Sequence, residues 1–326
     1  MTQSLQRRAF TLVELMVAIG IILVLVGILL PALGRVSTKA RATSTQSTMN
    51  EFAKACDNFY LQFGYYPGII PENVLAATVN PAISGTENAL LHLMGGAIRS
   101  DDPIYTGDTG TVLNFGNATT GLMSIKVTLI NIGKGPRVEG RQYESFFTPK
   151  DAQMKIAPGQ IVNGAVEAIG DPAALPDLVD AWGQPIGYVR AAKTTGLLSG
   201  IVSDNPQFYF EPLVPYFRST ALGEMSLDQN ATSVFGSATG TAAQHREFLA
   251  QLIRHPAMGS FTTLTDAKTG TPRGKYFLFS PGADGIYFAK IGDGPTPVTT
   301  FVFTSVEARR PDVVTSYNDI VVSGGG

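Results

Sequence analysis

A long apolar run opens this chain: Phe10-Thr-Leu-Val-Glu-Leu-Met-Val-Ala-Ile-Gly-Ile-Ile-Leu-Val-Leu-Val-Gly-Ile-Leu-Leu30, preceded by Arg7-Arg8-Ala9. A helix crossing a bilayer needs roughly 20 apolar residues, and this run has the length for it. Within it sits one acidic residue, Glu14, and no basic one. On insertion scales a charged side chain in hydrocarbon costs about 2.5–3.5 kcal/mol. A carboxylate retained there needs a positive partner from processing or from another chain. Arg7 and Arg8 precede the span, so the positive-inside rule holds the N-terminus in the cytoplasm and everything after the span outside it.

The residues Ala9-Phe10-Thr11-Leu12-Val13-Glu14 resemble the prepilin cleavage and methylation motif of type IV pilins and type II secretion pseudopilins. The resemblance implies a short cytoplasmic leader, residues 1–9, cut by prepilin peptidase after Ala9. Phe10 then becomes the N-methylated N-terminus, and Glu14 faces the new amine of a neighbouring subunit during assembly. The family usually has Gly before the cut, and Ala stands here. Two other readings of the same residues stay open. Gln6-Arg7-Arg8-Ala9-Phe10-Thr11-Leu12 also resembles a twin-arginine export signal with a small-residue cleavage site at Ala40-Arg41-Ala42. Against it, a secretory apolar region normally runs about 7–15 residues and has no use for a glutamate. The other reading is a plain signal anchor with Glu14 snorkelling to the interface.

After Leu33 the sequence turns polar, and then Met49, Phe52, Ala53, Cys56, Phe59, Tyr60 and Phe63 recur at helical spacing. That periodicity predicts one apolar helix face. Gly64 and Pro67 supply a stop. The chain therefore reads as one long helix over residues 10–63. Residues 10–33 span the membrane and serve assembly, and residues 34–63 are amphipathic against an exported domain, 64–326. Pro31 is expected to kink or locally melt the helix, because proline lacks the donor and crowds the preceding turn. Gly20, Gly27 and Gly34 lie on one stripe. Such a stripe either lets helices approach closely or reflects the ordinary tolerance of glycine in membrane helices.

Beyond the helix the 35 glycines and 20 prolines are aperiodic and point to a loop-rich body containing strands. The expected fold class is α+β, with the long helix packed on a mostly antiparallel pilin-like sheet carrying inserted elements. Helices are read at 87–94 and 242–255. Strands are read at 124–132, 186–190, 207–211, 275–280, 286–290 and 299–304. Residues 233–241 read as a flexible loop, and the closing Gly-Gly-Gly as a disordered tail. Cys56, the one cysteine, falls on the apolar helix face and reads as core packing.

Two further segments extend the resemblance. Asp180-Ala-Trp182-Gly183-Gln-Pro185-Ile-Gly-Tyr188 is similar to a turn of the major pseudopilin. There Asp180 would cap the turn, Gly183 would supply a positive φ, and Trp182 would plug the core. Lys275-Tyr-Phe-Leu-Phe-Ser280-Pro-Gly-Ala-Asp284-Gly285 resembles a strand and turn that open a calcium loop in the same family, and Asn318-Asp319-Ile320 resembles its closing piece. This resemblance implies Ca²⁺ ligated by Asp284 and Asp319, with Ser280 and carbonyl oxygens nearby. Calcium takes six to eight oxygens. The long intervening stretch, residues 286–317, departs from the family pattern, and the alternative is a tight hairpin turn at Asp284-Gly285.

Charged residues are 15% of the chain and the formal charge is −2. Losing residues 1–9 removes two of the 24 basic residues and none of the 26 acidic ones, leaving −4. No basic field for nucleic acid exists in the sequence. His92, His245 and His255 do not cluster, and no nucleophile–base order or phosphate loop stands out. Asp101, Asp102 and Asp108 read as solvated turn acids rather than a second cation loop. The expected protein is a structural subunit and not an enzyme. It is expected in the cytoplasmic membrane, single-pass, and then in a pseudopilus supporting protein export. The expected partners are prepilin peptidase, like and related subunits, the inner-membrane secretion platform and lipid. A type IV pilus subunit, or a membrane-tethered binding protein or enzyme, is the alternative.

Overall fold

The computed structural model describes residues 12–78, 83–156, 161–162, 165–166, 175–209, 253–258, 269–284 and 319–325. The chain divides into two compact units, residues 1–43 and 44–326. The helix α1, Leu12–Phe63, contributes to both.

In the first unit, α1 is apolar on all sides over residues 12–33, Glu14 apart. Leu12, Leu23, Ile28 and Leu30 are each more than 60% exposed. Helical assignment continues through Pro31 without interruption, so the expected local melting is absent. One missing backbone donor costs one rung, and the flanking apolar residues have high helix propensity.

In the second unit, the same helix becomes one side of a core. Met49, Phe52, Cys56 and Phe59 are fully buried, as the spacing predicts. Tyr60, assigned to that face by periodicity, is instead 42% exposed, and its ring stacks on Tyr66. Phe52 meets Phe147 and Tyr188 edge-on at 5.3 and 5.5 Å, the offset geometry that aromatic quadrupoles favour. Polar residues pin the helix as well. Thr45 Oγ1 accepts from the Ala181 N–H at 3.0 Å. Gln153 donates to Thr48 Oγ1 at 2.8 Å. The Tyr276 hydroxyl donates to the Ala53 carbonyl at 3.1 Å and lies 3.2 Å from an Asp57 carboxylate oxygen.

After α1 come α2, Glu72–Ala76, and α3, Gly85–Met94. The latter begins two residues earlier than the apolar pattern suggests. Ser84 and Glu87 form a reciprocal capping box, which satisfies orphan donors at its start. A first antiparallel sheet holds β1 (Ala97–Arg99), β2 (Thr111–Asn117) and β3 (Gly121–Val127), with β3 central. The strand expected over 124–132 stops at Val127, and Leu129–Asn131 forms a 3₁₀ turn. Ile125 and Val127 point inward, whereas Leu129 and Ile130 are exposed, so the alternation ends where burial ends.

A second antiparallel sheet holds β4 (Gly187–Arg190), β5 (Tyr276–Ser280) and β6 (Ile320–Gly324), with β5 central and completely buried. Leu178, Ile186, Tyr188, Tyr276 and Leu278 share one core cluster with the buried face of α1. The α3 helix is tied to this sheet by Thr86, whose hydroxyl donates to the Ile186 carbonyl at 2.6 Å. Short ladders join Arg137–Val138 to Arg141–Gln142, Met154–Ile156 to Pro176–Leu178 and, in parallel, Ser199–Gly200 to Phe208–Tyr209. The α+β layout matches the expectation. The glycine-rich tail differs from it: Gly324 pairs with Tyr276 as the last residue of β6. A Cβ there would run into the Tyr276 ring, so glycine is what lets the strand close on that side chain. Of the helix expected over 242–255, residues 242–252 lie outside the described residues, and at its end Arg254 forms an antiparallel bridge with Pro272 instead of continuing the helix. The strands over 286–290 and 299–304 and the loop over 233–241 lie outside the described residues.

Candidate functional site

The N-terminal segment carries the chemistry that most limits function. Glu14 lies in the first turn of the described helix. Around it the helix presents leucine, valine, isoleucine and methionine on every face. Its best 18-residue window has a mean hydropathy of 3.0 and none of it is buried, which fits a membrane span by length and composition. Ala9 and Phe10 lie outside the described residues.

A family model described as the prokaryotic N-terminal methylation motif matches residues 5–30. The chain carries that methylation motif. That match is consistent with the type IV pilin-like class, and the motif implies processing by prepilin peptidase and assembly with pilin-like subunits. The combination of apolar helix and motif is consistent with single-pass anchoring in the inner membrane. No curated protein and no solved structure matches the chain.

The two later segments singled out by resemblance meet in the structure. Asp180 Oδ1 accepts from the Trp182 and Gln184 N–H groups at 2.8 and 2.9 Å. Its Oδ2 accepts from the buried Ser280 hydroxyl at 2.8 Å. Asp180 therefore caps its turn, with Gly183 at φ +84°, and also bolts that turn to the end of β5. Burial raises its carboxyl above the usual value, against the lowering effect of these donors. Trp182 does not plug the core, since its side chain is half-exposed. The buried occupant of this turn is the Asp180 carboxylate itself.

At the same end of the sheet, Ser280 pairs in register with Ile320, so Asp319 comes next to the start of the Gly282–Asp284 turn. The side chain of Asp284 is outside the described residues. Among the described residues there is no group of three or more His, Cys, Asp or Glu side chains suited to a metal ion. Asp180 and Ser280 already satisfy each other. An ion here would rest on Asp284, Asp319 and backbone carbonyl oxygens.

Other predicted residues resolve into structure. Asp102 is not simply solvated. It accepts from the Ile104 N–H at 3.0 Å and pairs with Arg137 at 3.2 Å. Burial works to raise its carboxyl, but those contacts prevail and hold it below the usual range. Asp108 accepts from Gly110 N–H and from the Thr128 hydroxyl. Cys56 is buried, and desolvation pushes its thiol well up. His92 is buried, and burial together with the nearby Arg190 charge lowers it to about 3. Its Nδ1 accepts from the Gly68 N–H at 3.0 Å, so the neutral ring carries its proton on Nε2.

Sequence reasoning missed the buried ion pair between Arg190 and Glu72, 2.8 Å apart. The Arg190 guanidinium also donates to the carbonyls of Tyr66, Gly68 and Ile70. It thereby gathers the chain leaving α1 onto the end of β4. The residues are far apart in sequence, and the only signal was an arginine closing an otherwise buried strand.

Proposed function

We propose that the chain is a structural subunit of a type II secretion pseudopilus, polymerised through α1 to support protein export. The observation that carries this reading is Glu14 as the one acidic side chain of an otherwise apolar helical stretch that lies within the matched methylation motif. Cleavage after Ala9 would free the Phe10 amine, and that amine, methylated, would pair with Glu14 of a neighbouring subunit. In hydrocarbon such a pair removes the cost of an isolated carboxylate. The adjacent apolar faces pack helix on helix, with room at Gly20, Gly27 and Gly34, where a Cβ would meet nothing within 4 Å in the same chain.

The Asp180–Ser280 junction supports the pseudopilus over a type IV pilus, because it joins the two segments that resemble the major pseudopilin. The same reading offers calcium as a ligand of Asp284 and Asp319, supported by the register of β5 and β6. The deciding experiment is Glu14→Ala in the native host. Membrane insertion is expected to persist while fibres and export are lost. Normal assembly in that variant would overturn the assembly role, and a mature protein retaining Met1 would overturn the processing step.

A further inference from the structure

A cavity of about 320 Å³ opens within the outer unit where α1 ends, which is in the size range of small-molecule sites. Its wall draws on the chain from Tyr60 to Asn73, on His92 and Arg99, on residues 190–194 after β4, and on Lys275 before β5. Four basic side chains, Arg99, Arg190, Lys193 and Lys275, face one acidic one, Glu72, in a chain whose net charge is negative.

The four cations are not equivalent. Arg190 is spent on Glu72 and on backbone carbonyls, so it builds the wall. Arg99 pairs with Asp101 at 2.7 Å in a largely exposed contact. Lys193 and Lys275 are half-buried, and among the described residues neither ammonium has an ion pair. A half-buried cation attracts an anion more strongly than a solvated one, since screening is weaker there. The two lysines belong to stretches that meet at the backbone, where Ala191 N–H bonds the Lys275 carbonyl at 2.7 Å, and both line the cavity.

The rest of the lining is neutral, aromatic and rich in donors. Tyr60 and Tyr66 stack at 4.6 Å, and Tyr65 lies against Phe59 and His92, so these rings are held in place before any ligand arrives. Burial raises the Tyr65 phenol and pushes that of Tyr66 up to about 12, and both are donors at neutral pH, as an ordinary phenol also is. Asn73 and Thr194 add further neutral hydrogen-bonding groups.

We propose that this cavity binds a sugar acid of uronate type, its carboxylate taken by Lys193 and Lys275 and its hydroxylated ring laid against the tyrosines. An inorganic anion would use the lysines and leave the rings idle. A neutral sugar would use the rings and leave the lysines unpaired. The lining satisfies both halves only for a molecule that carries both. The lining residues all belong to the outer unit, and the proposal stands or falls independently of fibre formation.

The test is calorimetric titration of the full-length protein in detergent with glucuronate, glucose and inorganic phosphate. Glucuronate is expected to saturate, with glucose and phosphate each at least about tenfold weaker, a difference such titrations resolve readily. The double variant Lys193→Gln/Lys275→Gln is expected to weaken glucuronate at least about tenfold, leaving glucose binding and the thermal unfolding curve unchanged. A second variant, Tyr60→Ala at an exposed rim position, is expected to erase the preference for glucuronate over phosphate. No glucuronate heat up to about 10 mM, equal binding of glucuronate and glucose, equal binding of glucuronate and phosphate, or wild-type affinity in the double variant would each overturn the proposal.

Discussion

One helix carries two regions with opposite relations to their surroundings. Over residues 12–33 its large apolar side chains are exposed all round. Over residues 45–59 the buried face alternates with polar positions and carries threonine as well as phenylalanine and methionine. The first region suits hydrocarbon, where the solvent is as apolar as the side chain and specificity must come from charge pairing and close packing. The second suits water, where burial of one face supplies the driving force and the exposed face stays polar. A single carboxylate therefore counts for most in the first region and a single aromatic ring in the second.

The largest expected effect tests the charge side of that contrast. Glu14→Ala should abolish fibres in sheared-fraction assays while the membrane-bound pool stays at wild-type level. Leu23→Ala, in the same region, should leave unfolding of the outer unit unchanged. Phe52→Ala should reverse that pattern. Its ring is fully buried against Phe147 and Tyr188, and truncating such a ring costs about 3–5 kcal/mol, readable by denaturant unfolding with membrane insertion intact.

The next effect concerns pH. His92 is neutral when folded, with its value lowered from 6.5 to about 3, chiefly by burial. The unfolded chain therefore binds a proton that the folded one refuses, and folding stability falls as pH drops from 6.5 towards 3. His92→Gln keeps an acceptor for Gly68 N–H. It should flatten the stability-versus-pH slope in that window by up to about 1.4 kcal/mol per pH unit. An unchanged slope would mean that the imidazole titrates normally.

Ser280→Ala should cost about 1–3 kcal/mol by leaving one Asp180 oxygen buried with its donor removed. The smallest effect is at the neighbouring turn. If Asp284 and Asp319 ligate calcium, millimolar calcium raises the melting temperature and Asp319→Asn abolishes the rise. An unmoved melting temperature removes the site.

The parts of this fold that sequence made legible are those governed by local period. The helix face from Met49 to Phe59 follows from 3.6-residue spacing, and the turn at Asp180 follows from its residue types. The start of α3 was also legible, because Ser84 and Glu87 have capping-box spacing, but a reading keyed to apolar residues passed over it. Tyr60 was misassigned because period alone cannot tell where the covering chain stops. The strand after Val127 was misassigned because alternation continued past the point where anything lay above it. Asp180 keeps its expected capping role, but Trp182 does not take the core, because the turn packs its buried carboxylate inward and leaves the indole at the surface. The candidate cavity was invisible in sequence. Its lysines and tyrosines come from stretches up to about two hundred residues apart, brought together by the pairing of β4 with β5 and by the Arg190 bonds to the chain leaving α1.

The hydrogen bonds that tie the second half of α1 to the rest of the outer unit are spread over several turns. They fall at Thr45, Thr48 and Ala53, with Asp57 beside the last, and their partners come from three separate stretches of chain. At 1.5 Å per residue these anchor points span about 18 Å of helix. In the filament proposed above, a pull along the helix axis would load these contacts in shear rather than peel them apart one by one. On this arrangement the body travels with its stem.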